Sequence, residues 1–238
     1  MPARALEPAG VALVDKPAGP SSFRLVAELR RRTGARTGHA GTLDPFATGL
    51  LLLLSGWATK LAPCFSGLDK RYLTDVDLRA RTSTGDPEGE VVERSEPPGL
   101  SELDGRLAAL RGWIELPIPA ASAVKIRGER AYRLARRGVE VDMPLRRSRV
   151  DTLEVITYSD GVARLDLRVS TGTYVRAIAD ALGGHCRTLR RTEIGPFSVS
   201  EASDVARADL IAPGAALAQL PPEARARAPE ALLARAGA

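Results

Sequence analysis

Residues 38–49 read GHAGTLDPFATG, which sets an aspartate, Asp44, directly before a proline. The same stretch holds three glycines and His39, one of only two histidines in the chain. A following proline bars Asp44 from helical geometry, so the backbone fixes the direction of its carboxylate. Gly38, Gly41 and Gly49 let the chain bend sharply and let a ligand approach closely. The plain alternative is that Asp-Pro merely starts a turn. What the chain lacks narrows the chemistry. It has no G-x-x-x-x-G-K-[ST], no G-x-G-x-x-G, no H-E-x-x-H and no G-x-S-x-G. Cys64 and Cys186 form no C-x-x-C pair and no disulfide framework, and two histidines with no cysteine pair argue against metal hydrolysis. Carboxylate chemistry that needs neither metal nor cofactor is what remains.

A chain of 238 residues suits one large domain, or one domain with an appendage. The formal charge of +5 suits a polyanionic partner, and 30 of the 34 basic residues are arginine, which forks phosphate better than lysine. Coding bias explains an arginine excess equally well. The N-terminal MPARALEPAG is not followed by an apolar leader core, and the longest apolar run, Leu50 to Leu54, is too short to span a bilayer. Together with reduced cysteines, these features point to a cytoplasmic protein with no membrane contact.

The elements that must carry the 38–49 loop read as follows. GVALV (10–14) is a buried-type strand that runs into DKPAGPSS, a Pro/Gly turn ending in helix-capping serines. Phe23, Val26 and Leu29 recur at helical spacing until Gly34. ATGLLLLLSG is a buried strand, and Trp57, Leu61 and Phe65 mark a short helix. In RYLTDVDLRA (71–80), Tyr72, Thr74, Val76 and Leu78 share one strand face. GDPEGE is a hairpin-type turn after which VVE rejoins the sheet, and a helix through Leu103, Leu107 and Leu110 starts at Ser101, with Asp104 three residues on. GERAYRLARRG is expected to be a basic helix closed by Gly138; residues 162–170 alternate as a strand, and TGTYVRAIADALGG enters another helix. The pattern is α+β, a large, mostly antiparallel sheet flanked by helices. From about residue 203 the composition turns to Ala, Pro and Arg, a tail expected to bury little core alone.

The string GHAGTLDPFATGLL resembles the active-site motif of the TruB family of pseudouridine synthases. Other family segments recur in order: DKPAGPSS (15–22), KRYLTDVDL (70–78), RTSTGDPEG (81–89), SAVKIRGERAYRLAR (122–136), GTYVRAIADALG (172–183) and LRRTEIGPF (189–197). The resemblance covers residues 10 to 202. It implies the pseudouridine synthase fold, a mixed sheet with a central active-site cleft, and an isomerase that converts the T-loop uridine of tRNA to pseudouridine without a cofactor. Residues 1–202 are then the catalytic domain, and 203–238 a short extension without a complete PUA domain. Partners would be the T arm of tRNA, with no guide RNA and no obligate protein partner, for a monomer.

By the same resemblance Asp44 is the catalytic carboxylate, acting as a nucleophile toward sugar or base or taking a proton from the sugar. A base inside a folded loop must be flipped out to react, and His39 matches the histidine that fills the space it leaves. Tyr72 matches the tyrosine that stacks on the uracil; a core tyrosine would show the same spacing. Tyr174 and Arg176 match pocket residues, Arg176 pairing with Asp44. Leu189 matches a wall of the uracil pocket, and Lys16 a lysine at the site's floor. Lys125 lies in a segment that borders RNA. The charge runs 30–32, 127–137 and 187–191, with Arg127, Arg130 and Arg190 among them, are candidate phosphate contacts. Departures from the family pattern are Ala121, where an aromatic is usual, and a shorter connection between GTYVR and LRR. Two other functions stay in view: a tRNA-folding chaperone with secondary or no catalysis, and a nucleoside glycosylase, which wants a second placed acid.

Overall fold

Five leucines in a row, Leu50 to Leu54, are fully buried, because the strand that carries them is covered on both faces. The computed structural model in which this is seen describes residues 8–122, 124–126, 128–137, 139 and 141–237. In chain order the first elements are β1 (Gly10–Lys16), α1 (Ser22–Thr33), β2 (Thr37–His39), β3 (Thr48–Ser55), a 3-10 turn (Gly56–Leu61), α2 (Ala62–Ser66) and β4 (Lys70–Asp77). Next come β5 (Ala80–Thr82), β6 (Val91–Arg94), α3 (Leu100–Ala109), β7 (Gly112–Pro117), β8 (Lys125–Ile126), β9 (Glu129–Arg130) and α4 (Ala131–Arg136). The last are β10 (Leu145–Ser159), β11 (Val162–Val169), α5 (Val175–Ala181), β12 (His185–Ile194), β13 (Phe197–Ser198), α6 (Pro213–Ala218), α7 (Pro222–Arg225) and α8 (Glu230–Ala236).

The chain forms two compact units, the first made of residues up to Tyr72 and from Arg190 on, the second of Leu73–Leu189. In the first, β3 is central. It pairs antiparallel with β1 from Gly10↔Ser55 to Lys16↔Gly49, antiparallel with β2, and parallel with β12 at Arg190↔Thr48 and Arg191↔Gly49. Leu51 and Leu53 face α1 through Leu25, Val26 and Leu29, whereas Leu50, Leu52 and Leu54 face Leu61, Phe65, Ile194 and Phe197.

The C-terminal tail, expected to bury little core alone, completes both layers by packing against the rest of its unit. Val205 and Ala208 join the α1 side, and Leu217, Leu220 and Ala224 the other. Its backbone also covers the open edge of β1: Val11 and Ile211 exchange N–H···O bonds of 2.9 Å each, and the Asp15 N–H donates to Ser203 O at 3.0 Å. Each buried Leu or Val contributes about 1.5–3 kcal/mol, so the tail is part of this unit's core.

In the second unit, β11 pairs antiparallel with β10, and β10 with β7. Buried Leu103 and Leu107 of α3, Leu165 and Leu167 of β11 and Ile178 of α5 belong to its interior. Three local expectations need correction. Helix α3 begins one residue earlier than Ser101, with Gly99 at its N-cap and no side-chain cap, because a glycine is already well tolerated there. The segment expected to be one basic helix opens instead as a β8–β9 hairpin, Lys125↔Arg130 and Ile126↔Glu129, and only Ala131–Arg136 is helical. Gly128 sits at φ +88, which permits that turn. Gly138, expected to close the helix, lies outside the described residues. Strands β5 and β6 form a two-stranded sheet of their own.

Candidate active site

Residues 40–47 form the loop between β2 and β3, so Asp44 stands on a connection whose two ends are paired strands. Five of the eight loop carbonyls are held from outside. Ser22 Oγ accepts from Leu43 N–H at 2.9 Å and donates to Leu43 O at 3.0 Å. Lys16, 0% exposed, donates its ammonium to Pro45 O at 3.0 Å and Ala47 O at 2.6 Å, on either side of the Asp44–Pro45 turn. Gly19 N–H also donates to Pro45 O, at 2.8 Å, and Ala47 N–H to Asp44 O, at 3.2 Å. Asp44 itself is half-buried. Lys16, matched to a lysine at the site's floor, thus braces the backbone on both sides of Asp44.

Arg191, 1% exposed, holds the other side of the loop. Its guanidinium donates to Leu50 O at 2.7 Å, Gly41 O at 3.1 Å and Thr42 O at 3.4 Å. Within the run 187–191, whose arginines are candidate phosphate contacts, Arg191 is instead a buried guanidinium shared among three carbonyls. Strand alternation carries the signal that was missed, since Arg191 lies two residues from buried Leu189 and so on the same face of β12. Gly49 lets β12 come this close: a Cβ there would lie 2.2 Å from Arg191 O, at φ +101.

His39, half-buried at the end of β2, packs perpendicular to Phe23 with ring centroids 5.7 Å apart. Burial lowers its pKa, and the Arg191 charge lowers it further, so the ring is neutral at physiological pH. Its Nδ1 is buried with no hydrogen-bond partner among the described residues. Tyr72 is buried on the same β4 face as Lys70. Lys70 donates to Ser66 O at 2.7 Å and Leu68 O at 2.5 Å, and its pKa is pushed down to about 8, first by burial and then by Arg191. A lysine with a depressed folded pKa favours folding as pH rises. Below about 8 both states hold the proton, and above it the folded state releases its proton first. Urea unfolding is therefore expected to show a stability gain between pH 8 and 10 that Lys70→Met lacks, on the order of 3 kcal/mol over the full window.

Arg190 differs from its neighbour. It forms a two-pronged pair with Asp15, 2.8 and 3.0 Å, with both side chains partly exposed. In the run 30–32, Arg32 bonds to the carbonyls of Val205 and Ala208 and so serves the fold.

The second unit holds the remaining candidates. Arg176, 3% exposed, sits in the first turn of α5, where the helix dipole disfavours a cation. It is engaged instead by Thr84 O at 2.7 Å, Ala121 O at 3.0 Å and the Asp86 carboxylate at 3.3 Å. Ala121, the departure from the family aromatic, thus contributes its carbonyl. Asp86 was missed by sequence reading; it also accepts from the Thr84 hydroxyl and Glu88 N–H, which ties the 82–88 turn around Arg176. Tyr174 is the half-buried N-cap residue of α5, and Leu189 is buried on β12. Lys125 and Arg130 are exposed on the β8–β9 hairpin, and Arg127 lies outside the described residues. Among the described residues no three His, Cys, Asp or Glu side chains gather as metal ligands, and no helix is long and apolar enough to cross a membrane.

Comparison with known proteins adds a family to this geometry. The model of the TruB family pseudouridylate synthase N-terminal domain matches residues 29–175. The tRNA pseudouridine synthase B of Mycobacterium sp. (strain KMS) is 43% identical over 206 residues, 81% of this chain and 69% of that protein. That of Leifsonia xyli subsp. xyli is 42% identical over 224 residues, 87% of this chain and 73% of that protein. Among solved structures, a chain of a Cbf5–Nop10–Gar1 complex matches with a TM-score of 0.61 and 26% identity, over 79% of this chain and 50% of that one. The archaeal box H/ACA sRNP Nop10–Cbf5 complex matches at 0.60 and 22%, over 83% and 51%. This chain spans about half the length of those two solved chains, and the likeness shows a shared fold of mixed, mostly antiparallel sheet with helices.

Proposed function

The chain belongs to the TruB family of pseudouridine synthases, and on that footing we propose that it isomerises the T-loop uridine of tRNA, with Asp44 as the catalytic carboxylate. The observation that carries this reading is the aspartate loop itself, held on its backbone by two buried cations and a serine while its one acid is half-buried. Such a loop is organised before substrate arrives, which is where most of the advantage of positioning comes from.

The reaction balances without a cofactor. The N1–C1′ bond breaks, the uracil turns, C5 bonds to C1′ and gives up its proton, and N1 gains one. Asp44 serves by adding to the sugar or the base, or by taking a proton from the sugar. Tyr72 stacks on the uracil and assists at C5, while Leu189 and Tyr174 wall the pocket. The family resemblance assigns Arg176, held within its own unit by Thr84 O, Ala121 O and Asp86, to the substrate pocket. A neutral His39 suits the space vacated by the flipped base better than a phosphate, since it carries no charge to offer. Lys125, Arg127, Arg130 and Arg190 contact the RNA backbone. Residues 1–202 carry catalysis, with the tail as structural support. The protein acts in the cytoplasm as a monomer on the T arm, without guide RNA or an obligate protein partner.

The test uses tRNA transcribed with uridine tritiated at C5. Tritium is expected in water while the RNA stays intact and no uracil appears. Free uracil would point to a glycosylase, and tRNA refolding without tritium release to a chaperone.

A further inference from the structure

Helix α1 shows solvent a face that its role in the core does not explain. Ser22, Leu25, Val26 and Leu29 are buried. Phe23, Arg24, Ala27, Arg30 and Arg31 are exposed and, at 100° per residue, fall on one stripe of the helix. Phe23 is 73% exposed, more than any other large apolar side chain among the described residues. A phenylalanine left in water forgoes its burial energy, yet this ring is not loose, because it stands perpendicular to His39.

The arginines separate by task. Arg32 is tied to tail carbonyls. Arg24, Arg30 and Arg31 form no ion pair among the described residues. At the C-terminal end, Arg30 and Arg31 also complement the helix dipole, but Arg24 in the first turn opposes it. Glu28, the helix's one acid, is half-buried at the margin of the stripe. The stripe therefore pairs a held aromatic ring with cations that make no ion pair among the described residues, the composition of a surface that stacks bases and tracks phosphates.

It is also mechanically continuous with the aspartate loop. Ser21 caps α1 by accepting from Arg24 N–H, and Ser22 exchanges two hydrogen bonds with Leu43, the residue before Asp44. We propose that the outer face of α1 is an RNA-strand surface, on which Phe23 stacks an unpaired base and Arg24, Arg30 and Arg31 hold the phosphates beyond it. Phe23 to Arg31 spans about 12 Å, enough for a short run of nucleotides leading to the loop. This surface rests on the RNA-acting reading of the Asp44 site and extends it.

The test measures binding of unmodified tRNA transcript by the full chain over a salt series, in an Asp44→Asn background so that no turnover intervenes. Phe23→Ala is expected to weaken binding about tenfold or more, and Phe23→Trp to restore it. Replacing Arg24, Arg30 and Arg31 by Gln is expected to flatten the dependence of log Kd on log salt by about two to three. Wild-type affinity in Phe23→Ala, equal recovery in Phe23→Leu, or an unchanged slope in the triple variant would each overturn the proposal. Tritium release by the parent protein is read in parallel. Binding that depends on Phe23 and these arginines without release sinks the catalytic reading and leaves the surface standing; release with indifferent variants does the reverse.

Discussion

Asp44→Asn loses pseudouridine formation, with the single-turnover rate falling at least about a thousandfold, the scale on which removal of a nucleophile or acid–base group acts. Binding of tRNA stays within a few-fold of wild type. The second half of this expectation follows from the loop's construction. Lys16, Arg191 and Ser22 hold backbone carbonyls, and Ala47 N–H bonds to the Asp44 carbonyl, all of which asparagine retains. Asparagine also keeps the shape of the side chain and removes only its charge and basicity. Filter binding beside a quenched-flow rate separates the two effects. A parallel loss of binding would mean that Asp44 serves the loop's structure, as Asp-Pro turns often do.

Arg191→Ala is expected to damage both stability and rate, although Arg191 is assigned no contact with substrate. Its removal strands the buried carbonyl of Leu50 and releases the part-buried carbonyls of Gly41 and Thr42. At roughly 1–3 kcal/mol for an unsatisfied buried group, the Leu50 carbonyl alone sets a stability loss of about that size. The loop carrying Asp44 then relaxes, and a misplacement of about 1 Å costs on the order of a hundredfold in turnover. Arg191→Lys recovers part of the stability but little of the rate, because the three donors of an ammonium radiate from one nitrogen and do not reach carbonyls spread around a planar guanidinium. His39 supplies a readout that a purely structural residue would not move. The Arg191 charge helps to lower the His39 pKa, so in either variant that retains its fold the alanine raises the histidine titration seen by NMR and the lysine leaves it nearer wild type. Stability lost with the rate intact would remove Arg191 from the positioning of the loop.

Local pattern made much of this legible. The alternation of Tyr72, Thr74 and Val76, the helical spacing of Phe23, Val26 and Leu29 with Gly34 as a left-handed stop, and the unbroken Leu50–Leu54 run all report short-range geometry, although Phe23 of that spacing faces solvent. What escaped depends on partners far away in the chain. The tail reads as a weak Ala/Pro/Arg segment because its stabilisation comes from the edge of β1 and from Leu217 and Leu220 packing against the β3 layer. Arg191 resembles its neighbour Arg190 in sequence, and only the face of β12 distinguishes a buried loop clamp from a partly exposed pair with Asp15. Likewise Glu129 and Arg130 carry helix-forming side chains, and the hairpin with Lys125 and Ile126 overrides them.

The most direct test incubates an unmodified T-arm stem-loop, and in parallel whole tRNA, with wild type and Asp44→Asn, then maps pseudouridine by carbodiimide labelling and primer extension. The account predicts one stop, at the T-loop uridine, with wild type and none with the variant. A stop elsewhere, a stop that persists in Asp44→Asn, or no stop on either RNA from protein that binds tRNA would contradict it.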